Sequence, residues 1–179
     1  MNLDPRSDTL LIEMKNDADL LPADREIIGR WMRQEFPPET DPYKWAPLYW
    51  RLLARLDGEL VSVVEILERT VAVAGQPIRV AGIGNVITPV PWRKRGFATT
   101  LMQRALAFAS DELKVPFCLL VCEPHVISFY ERLGWQLVEG PLVFDQPTGK
   151  ATWEHHTMVL PCGGETWPPG VIDLCGLPI

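Results

Sequence analysis

The sequence predicts one α/β domain of the α+β kind: a mixed, mostly antiparallel β-sheet flanked by helices. Three observations carry that expectation. Residues 48–90 read as three extended runs joined by two tight turns, the pattern of an antiparallel meander. Residues 98–134 then switch to helix, short apolar strand and second helix, the pattern of a strand covered on both faces. A chain of 179 residues suits one domain, long enough to bury about two-thirds of the surface its unfolded form exposes. No internal repeat or low-complexity linker divides it.

Taken in order, "TLLIEM" (9–14) is a short strand. Pro22 opens a helix with Ile27, Ile28 and Trp31 on one stripe, and Pro37-Pro38 ends it. "PPETDPYKWAP" (37–47) is a loop of prolines, acids and aromatics. "LYWRLLARL" and "ELVSVVEILER" flank Asp57-Gly58, a two-residue hairpin signal, and Ala74-Gly75-Gln76-Pro77 turns the chain into a third extended run, 78–90. From Ala98, Leu101, Met102, Ala105 and Ala109 mark one face of a helix that Pro116 closes. "FCLLVC" (117–122) is the apolar strand. Pro124 starts the next helix, with Val126, Phe129, Tyr130 and Leu133 as its stripe and Gly134 at its C-cap. "WQLVEGPLVF" and "TWEHHTMVL" form a final antiparallel pair. The domain is expected to span 1–160, with 161–179 as an irregular tail packed on it.

Composition narrows the function. The net charge of −6 argues against a general polyanion binder, so nucleic acid is not an expected partner. No apolar run approaches the ~20 residues of a membrane span, and "MNLDPRSDTL" lacks the plan of a signal peptide. The expected location is cytoplasmic, with the four cysteines reduced and no metal site. Cys118 and Cys122 share one face of their strand and read as core.

Two constellations carry chemistry. "WRKRGFA" (92–98) lies between an extended run and a helix. At a helix start several backbone N–H groups lack partners and the macrodipole adds positive potential, and Gly96 and Ala98 let an anion approach that backbone. Arg93, Lys94 and Arg95 can supplement the field, or simply be solvated. Neither a Walker loop nor a GxGxxG is present. The second constellation, "CEPHVISFYERLGW", puts Tyr130 on the apolar stripe of the next helix. A phenol, with a pKa near 10, stays protonated at neutral pH and can protonate a departing thiolate; it can equally be a core aromatic.

The order of meander, R-x-x-G-x-A before a helix, apolar strand and F-Y-E-R-L-G-W resembles the GCN5-related N-acetyltransferase (GNAT) superfamily over about residues 8 to 160. Within it, "GWQLVEGPLVFDQPTG" (134–149) is similar to a segment of the aminoglycoside 2'-N-acetyltransferases. The resemblance implies an acetyl-CoA-dependent N-acetyltransferase that moves an acetyl group directly to a primary amine of a small, amino-sugar-like substrate. The alternative is a catalytically impaired acyl-CoA-binding module; a ping-pong route through Cys122 is a further alternative among enzymes. Backbone at Val86, Ile87 and Thr88 would hold the acetyl and pantetheine arm. Arg93, Lys94, Arg95, Gly96, Phe97, Ala98 and Thr99 would hold the pyrophosphate, and Tyr130 matches the family's general acid. The implied partners are a CoA thioester and a small amine, with room for a homodimer.

The chain departs from its relatives at several positions. Val90 stands where many carry Pro, and Glu123 where many carry Asn. The glutamate that serves the aminoglycoside enzymes as base corresponds to Gly84, followed by Asn85, which is no base at neutral pH. Glu65, on the adjacent strand, His125 and water alone remain as candidates for that role. Glu39, Asp41, Tyr43 and Trp45 offer acids and aromatics to an amine on the acceptor side, and Asp173 and Ile179 could face the same cleft.

Overall fold

The computed structural model describes residues 9–38 and 42–179. β1 (Leu10–Asn16) pairs antiparallel with β2 (Trp50–Leu56), which pairs with β3 (Glu59–Val73), which pairs with β4 (Gln76–Ile87). Both hairpin turns carry positive φ at their two central residues, Asp57 (49°) and Gly58 (86°), then Ala74 (47°) and Gly75 (80°). Those values suit the mirror-image turns that match strand twist. α1 (Pro22–Glu35) precedes β2 and begins on Pro22, whose missing N–H costs nothing at a helix start. α2 (Phe97–Asp111) is the crossover that brings β5 (Phe117–Cys122) parallel to β4. α3 is the single helix Ile127–Glu131. β6 (Gln136–Leu137), β7 (Leu142–Gln146), β8 (Gly149–Thr152), β9 (His156–Pro161) and β10 (Ile172–Asp173) complete one sheet.

The sheet is covered on both faces. α2 and α3 lie over one, where Phe97, Leu101, Met102, Ala105, Ala109 and Tyr130 join Leu52, Val64, Ile66, Ile83, Leu120 and Cys122 in one cluster. On the other face α1 packs Ile28 and Trp31 against Leu53, Val63 and Ile87. Beside it Ala46, Leu48, Leu174 and Ile179 cover Leu67, Val80 and Leu119. Burial of this apolar surface, at roughly 25 cal/mol per Å², drives the assembly. No helix among the described residues is long and apolar enough to cross a membrane.

Three elements differ from the sequence expectation. The final antiparallel pair is divided: β6 stays beside β9, while β7 leaves to form its own hairpin with β8. Gly140-Pro141 causes the division, because Gly140 takes φ 117° and a Cβ there would stand 2.7 Å from the carbonyl oxygen of Gly170. The helix around Tyr130 is shorter than its apolar stripe, being preceded by a 3-10 turn, Pro124–Val126. Gly134 (φ 89°) closes it in a Schellman turn, with N–H of Gly134 bonded to O of Glu131 and N–H of Trp135 to O of Tyr130. The tail is not wholly irregular: β10 pairs antiparallel with β3 and parallel with β7, and Leu174 and Ile179 are buried.

Candidate active site

The site begins as an interruption of the sheet. The parallel ladder between β4 and β5 has three pairs, Val80–Phe117, Ala81–Cys118 and Gly82–Leu119, and then stops although both strands continue. The other side of β4 shows why. Its register against β3 slips between Val63–Ile87 and Glu65–Gly84, so β4 holds one extra residue there, and Asn85 in this bulge takes φ 47°. A bulge bends its strand and re-aims the backbone. Beyond Gly82 the two strands part, and the gap runs toward Val86, Ile87 and Thr88.

The turn that follows is braced by its own cations. Arg93 donates Nε–H to the carbonyl of Thr88 (2.8 Å) and pairs with Glu35 at the end of α1. Arg95 lies 5.0 Å over the Trp92 ring and 5.3 Å over Phe97. Ser62 donates its hydroxyl to O of Ile87 (3.1 Å) and accepts from Thr88 Oγ1 (2.7 Å), fixing the end of β4. Lys94 (φ 62°) is exposed, and Gly96 (φ 85°) precedes α2 with open space where a Cβ would be. Thr100 returns both N–H and hydroxyl to O of Gly96, so the N–H groups of Phe97, Ala98 and Thr99 have no acceptor within the helix. Phe97 itself is buried as a core anchor.

Tyr130 is 8 % exposed and packs edge-on against Phe129 (5.0 Å) and Trp135 (6.1 Å). Among the described residues its hydroxyl has no hydrogen-bond partner, yet no buried polar side-chain atom is left unsatisfied. The oxygen therefore still meets open space. Burial, with Cys122 adding, pushes the phenol above its ordinary value and keeps its proton on at neutral pH. Burial likewise lifts Cys122, at the end of β5, to about 11, which disfavours the thiolate that a ping-pong route needs.

Glu65 lies on the α1 face of β3, 2 % exposed. One oxygen pairs with Nε of Arg51 on β2, and the other accepts Nδ2–H of Asn85 (2.6 Å). Arg51 also pairs with Asp17, which Arg25 holds from outside (3.0 Å). Each oxygen of Glu65 keeps a lone pair for a further donor. Arg51, Asp17 and Asn85 surround Glu65, and Ser62 holds the end of β4; sequence reasoning selected none of them for the candidate site.

The remaining candidates scatter. Glu39 and Asp41 lie outside the described residues. Tyr43 and Trp45 join Trp153 and Phe144 in a ring cluster at 5.1–6.2 Å. His125 is exposed in the 3-10 turn before α3, and Asp173 pairs with Lys150 (2.8 Å). Ile179 packs on β4, where a Cβ at Gly82 would come within 2.6 Å of its Cδ1. A separate cleft of about 350 Å³, lined by Trp31, Gln34, Glu35, Ile87 and Pro89, opens between α1 and the end of β4.

Solved structures share this architecture. An acyl-CoA N-acyltransferase from Pseudomonas aeruginosa superposes with TM-score 0.60 at 22% identity, over 84% of this chain and 99% of that one. The GNAT family N-acetyltransferase YhbS from Escherichia coli, solved in complex with CoA, gives 0.64 at 17% identity over 99% of both chains. FeeM, an N-acyl amino acid synthase from uncultured soil microbes, gives 0.60 at 13% identity, over 87% of this chain and 92% of that one. At such identities the likeness is one of fold. No curated protein matches the sequence. A family model described as an acetyltransferase (GNAT) domain matches residues 25–138, from α1 through the tyrosine helix to the strand beyond it. The chain belongs to the GNAT family and is an acyltransferase.

Proposed function

We propose that the protein transfers an acetyl group from acetyl-CoA to the primary amine of a small, amino-sugar-like acceptor, in a single ternary complex. The observation that carries this reading is the gap between β4 and β5, with Tyr130 near Cys122 at the end of β5 and unpartnered N–H groups at the start of α2. The thioester supplies an activated acyl carbon. Backbone along Val86, Ile87 and Thr88 holds the arm that carries it, and the N–H groups of Phe97, Ala98 and Thr99 hold the pyrophosphate. Arg93 and Arg95 act by bracing the turn. Such preset donors supply stabilisation at no cost in reorganisation. Tyr130 delivers its proton to the departing sulfur as the amine displaces it.

The acceptor enters from the α1 face, through the cleft beside Trp31, Gln34 and Pro89, whose volume suits a small molecule. Glu65 takes the amine proton through a water at one of its remaining lone pairs, while Arg51 and Asn85 hold the carboxylate in place.

The test is thiol release from acetyl-CoA across a panel of amino sugars, polyamines, amino acids and peptide N-termini. Release that requires both acetyl-CoA and one class of primary amine, with the acetylated amine recovered, is the expected result. Thermal stabilisation by CoA without turnover on any amine would instead establish a binding module.

A further inference from the structure

We propose that Cys118 and Cys162 form a dithiol that a hydroperoxide closes into an intrachain disulfide, a modification site separate from acetyl transfer. Their sulfurs stand 3.8 Å apart, while no other pair of cysteines among the described residues is in contact. Cys118 is fully buried on β5. Cys162 directly follows β9, and its N–H bonds to O of Pro116 (2.8 Å), which ties the two backbones together beside the thiols. A disulfide needs about 2.05 Å between sulfurs, so one must approach the other by less than two ångströms. The chain after Cys162 can give: Gly163 and Gly164 follow, the latter at φ 88°.

The two thiols are unequal in the way such a reaction requires. Cys162 lines a shallow surface depression with Ser110, Lys114, Pro116 and Glu165, so a small oxidant reaches it. The hydrogen bond between the two sulfurs holds Cys162 below its ordinary value, while the same bond and burial raise Cys118. The Cys162 thiolate attacks one peroxide oxygen, the O–O bond breaks, and the chain gains a sulfenic acid as hydroxide leaves. Cys118 then displaces that hydroxyl, losing its thiol proton, and one water departs. Two thiols are oxidised, and one hydroperoxide is reduced to water (and, for an alkyl hydroperoxide, an alcohol). The bond would form at the end of β5 opposite Cys122, about 13 Å along the strand at ~3.3 Å per residue.

The experiment uses the full reduced chain treated with hydrogen peroxide and read by intact mass and differential alkylation. A loss of two hydrogens, reversed by dithiothreitol and mapped to a peptide joining residues 118 and 162, is expected. In Cys118→Ala the reaction should stop at a Cys162 sulfenic acid that dimedone traps. In Cys162→Ala, Cys118 should stay a free thiol. Recovery of both thiols under conditions that oxidise exposed Cys175 would overturn the proposal. So would a two-hydrogen loss that persists in Cys162→Ala. The peptide map of the wild-type chain decides the matter even where a variant folds poorly, and its outcome is independent of which amine the protein acetylates.

Discussion

Replacing Tyr130 with Phe separates chemistry from architecture, because the hydroxyl and the ring do different things. The ring contacts with Phe129 and Trp135 survive the change, and among the described residues no partner loses a bond to the oxygen. Folding stability should therefore move by no more than about 0.5 kcal/mol. General acid catalysis contributes about two to four orders of magnitude, or roughly 3–5 kcal/mol at 1.36 kcal/mol per tenfold. The expected result is a fall in kcat of at least a hundredfold or so, with KM for acetyl-CoA nearly kept. Steady-state thiol release at saturating amine and varied acetyl-CoA measures both constants, and urea unfolding measures the stability. Because burial raises the phenol, its proton is retained above the ordinary value near 10, so wild-type kcat should show no alkaline decline from this group below that pH. A variant that keeps kcat within about threefold of wild type would refute the role assigned to Tyr130.

Arg51→Met leaves the buried Glu65 carboxylate without its charge partner, and should cost about 3–5 kcal/mol of unfolding free energy in urea. Adding Glu65→Gln to that variant should recover part of the loss. Gly96→Ala forces an alanine to φ 85° in otherwise open space, so about 1–2 kcal/mol of strain should appear as lower stability, with weaker CoA binding by calorimetry. In acid, Asp17 is held below its ordinary value by hydrogen bonds from Arg51 and then Arg25, and Glu13 by Arg55. Carboxylates depressed in the folded state stabilise it above the unfolded value and lose that effect as pH falls through the folded one. Unfolding free energy should therefore decline from about pH 4 downward, less steeply in Arg51→Met.

Much of the framework was legible because it rests on local chemistry. Asp57-Gly58 and Ala74-Gly75 announce their turns by the φ they permit, and Pro22 and Pro116 bound helices through a missing N–H. Tyr130 was visible because its stripe and the closing Gly134 lie within a few residues. The polar cluster was not, and the cause is register. A strict hairpin about Asp57-Gly58 would face Arg51 with Val64; one irregularity near Arg55 shifts the ladder and sets Arg51 against Glu65. A second, at Asn85, points its amide at the same carboxylate. Bulges in strands rich in valine and isoleucine leave no mark that composition reveals. Arg93 and Arg95 were legible as cations but not as braces, since Glu35 meets Arg93 through tertiary packing and Trp92 meets Arg95 only through the bend of the turn itself.

The parting of β4 from β5 has a consequence for how the protein behaves in the cell and the tube. Two neighbouring strands that cease to pair present rows of amide and carbonyl groups inside a sheet, an internal edge. Most edges are blunted by charge or proline at the rim of a sheet; this one is kept at the centre, where an extended ligand with its own amides can take the place of a strand. Without such an occupant the molecule carries a seam open to any extended peptide, including a partly unfolded copy of itself. Occupancy by CoA should thus slow aggregation on heating by more than its binding energy alone would add, and light scattering during a thermal ramp, with and without CoA, reads that difference directly.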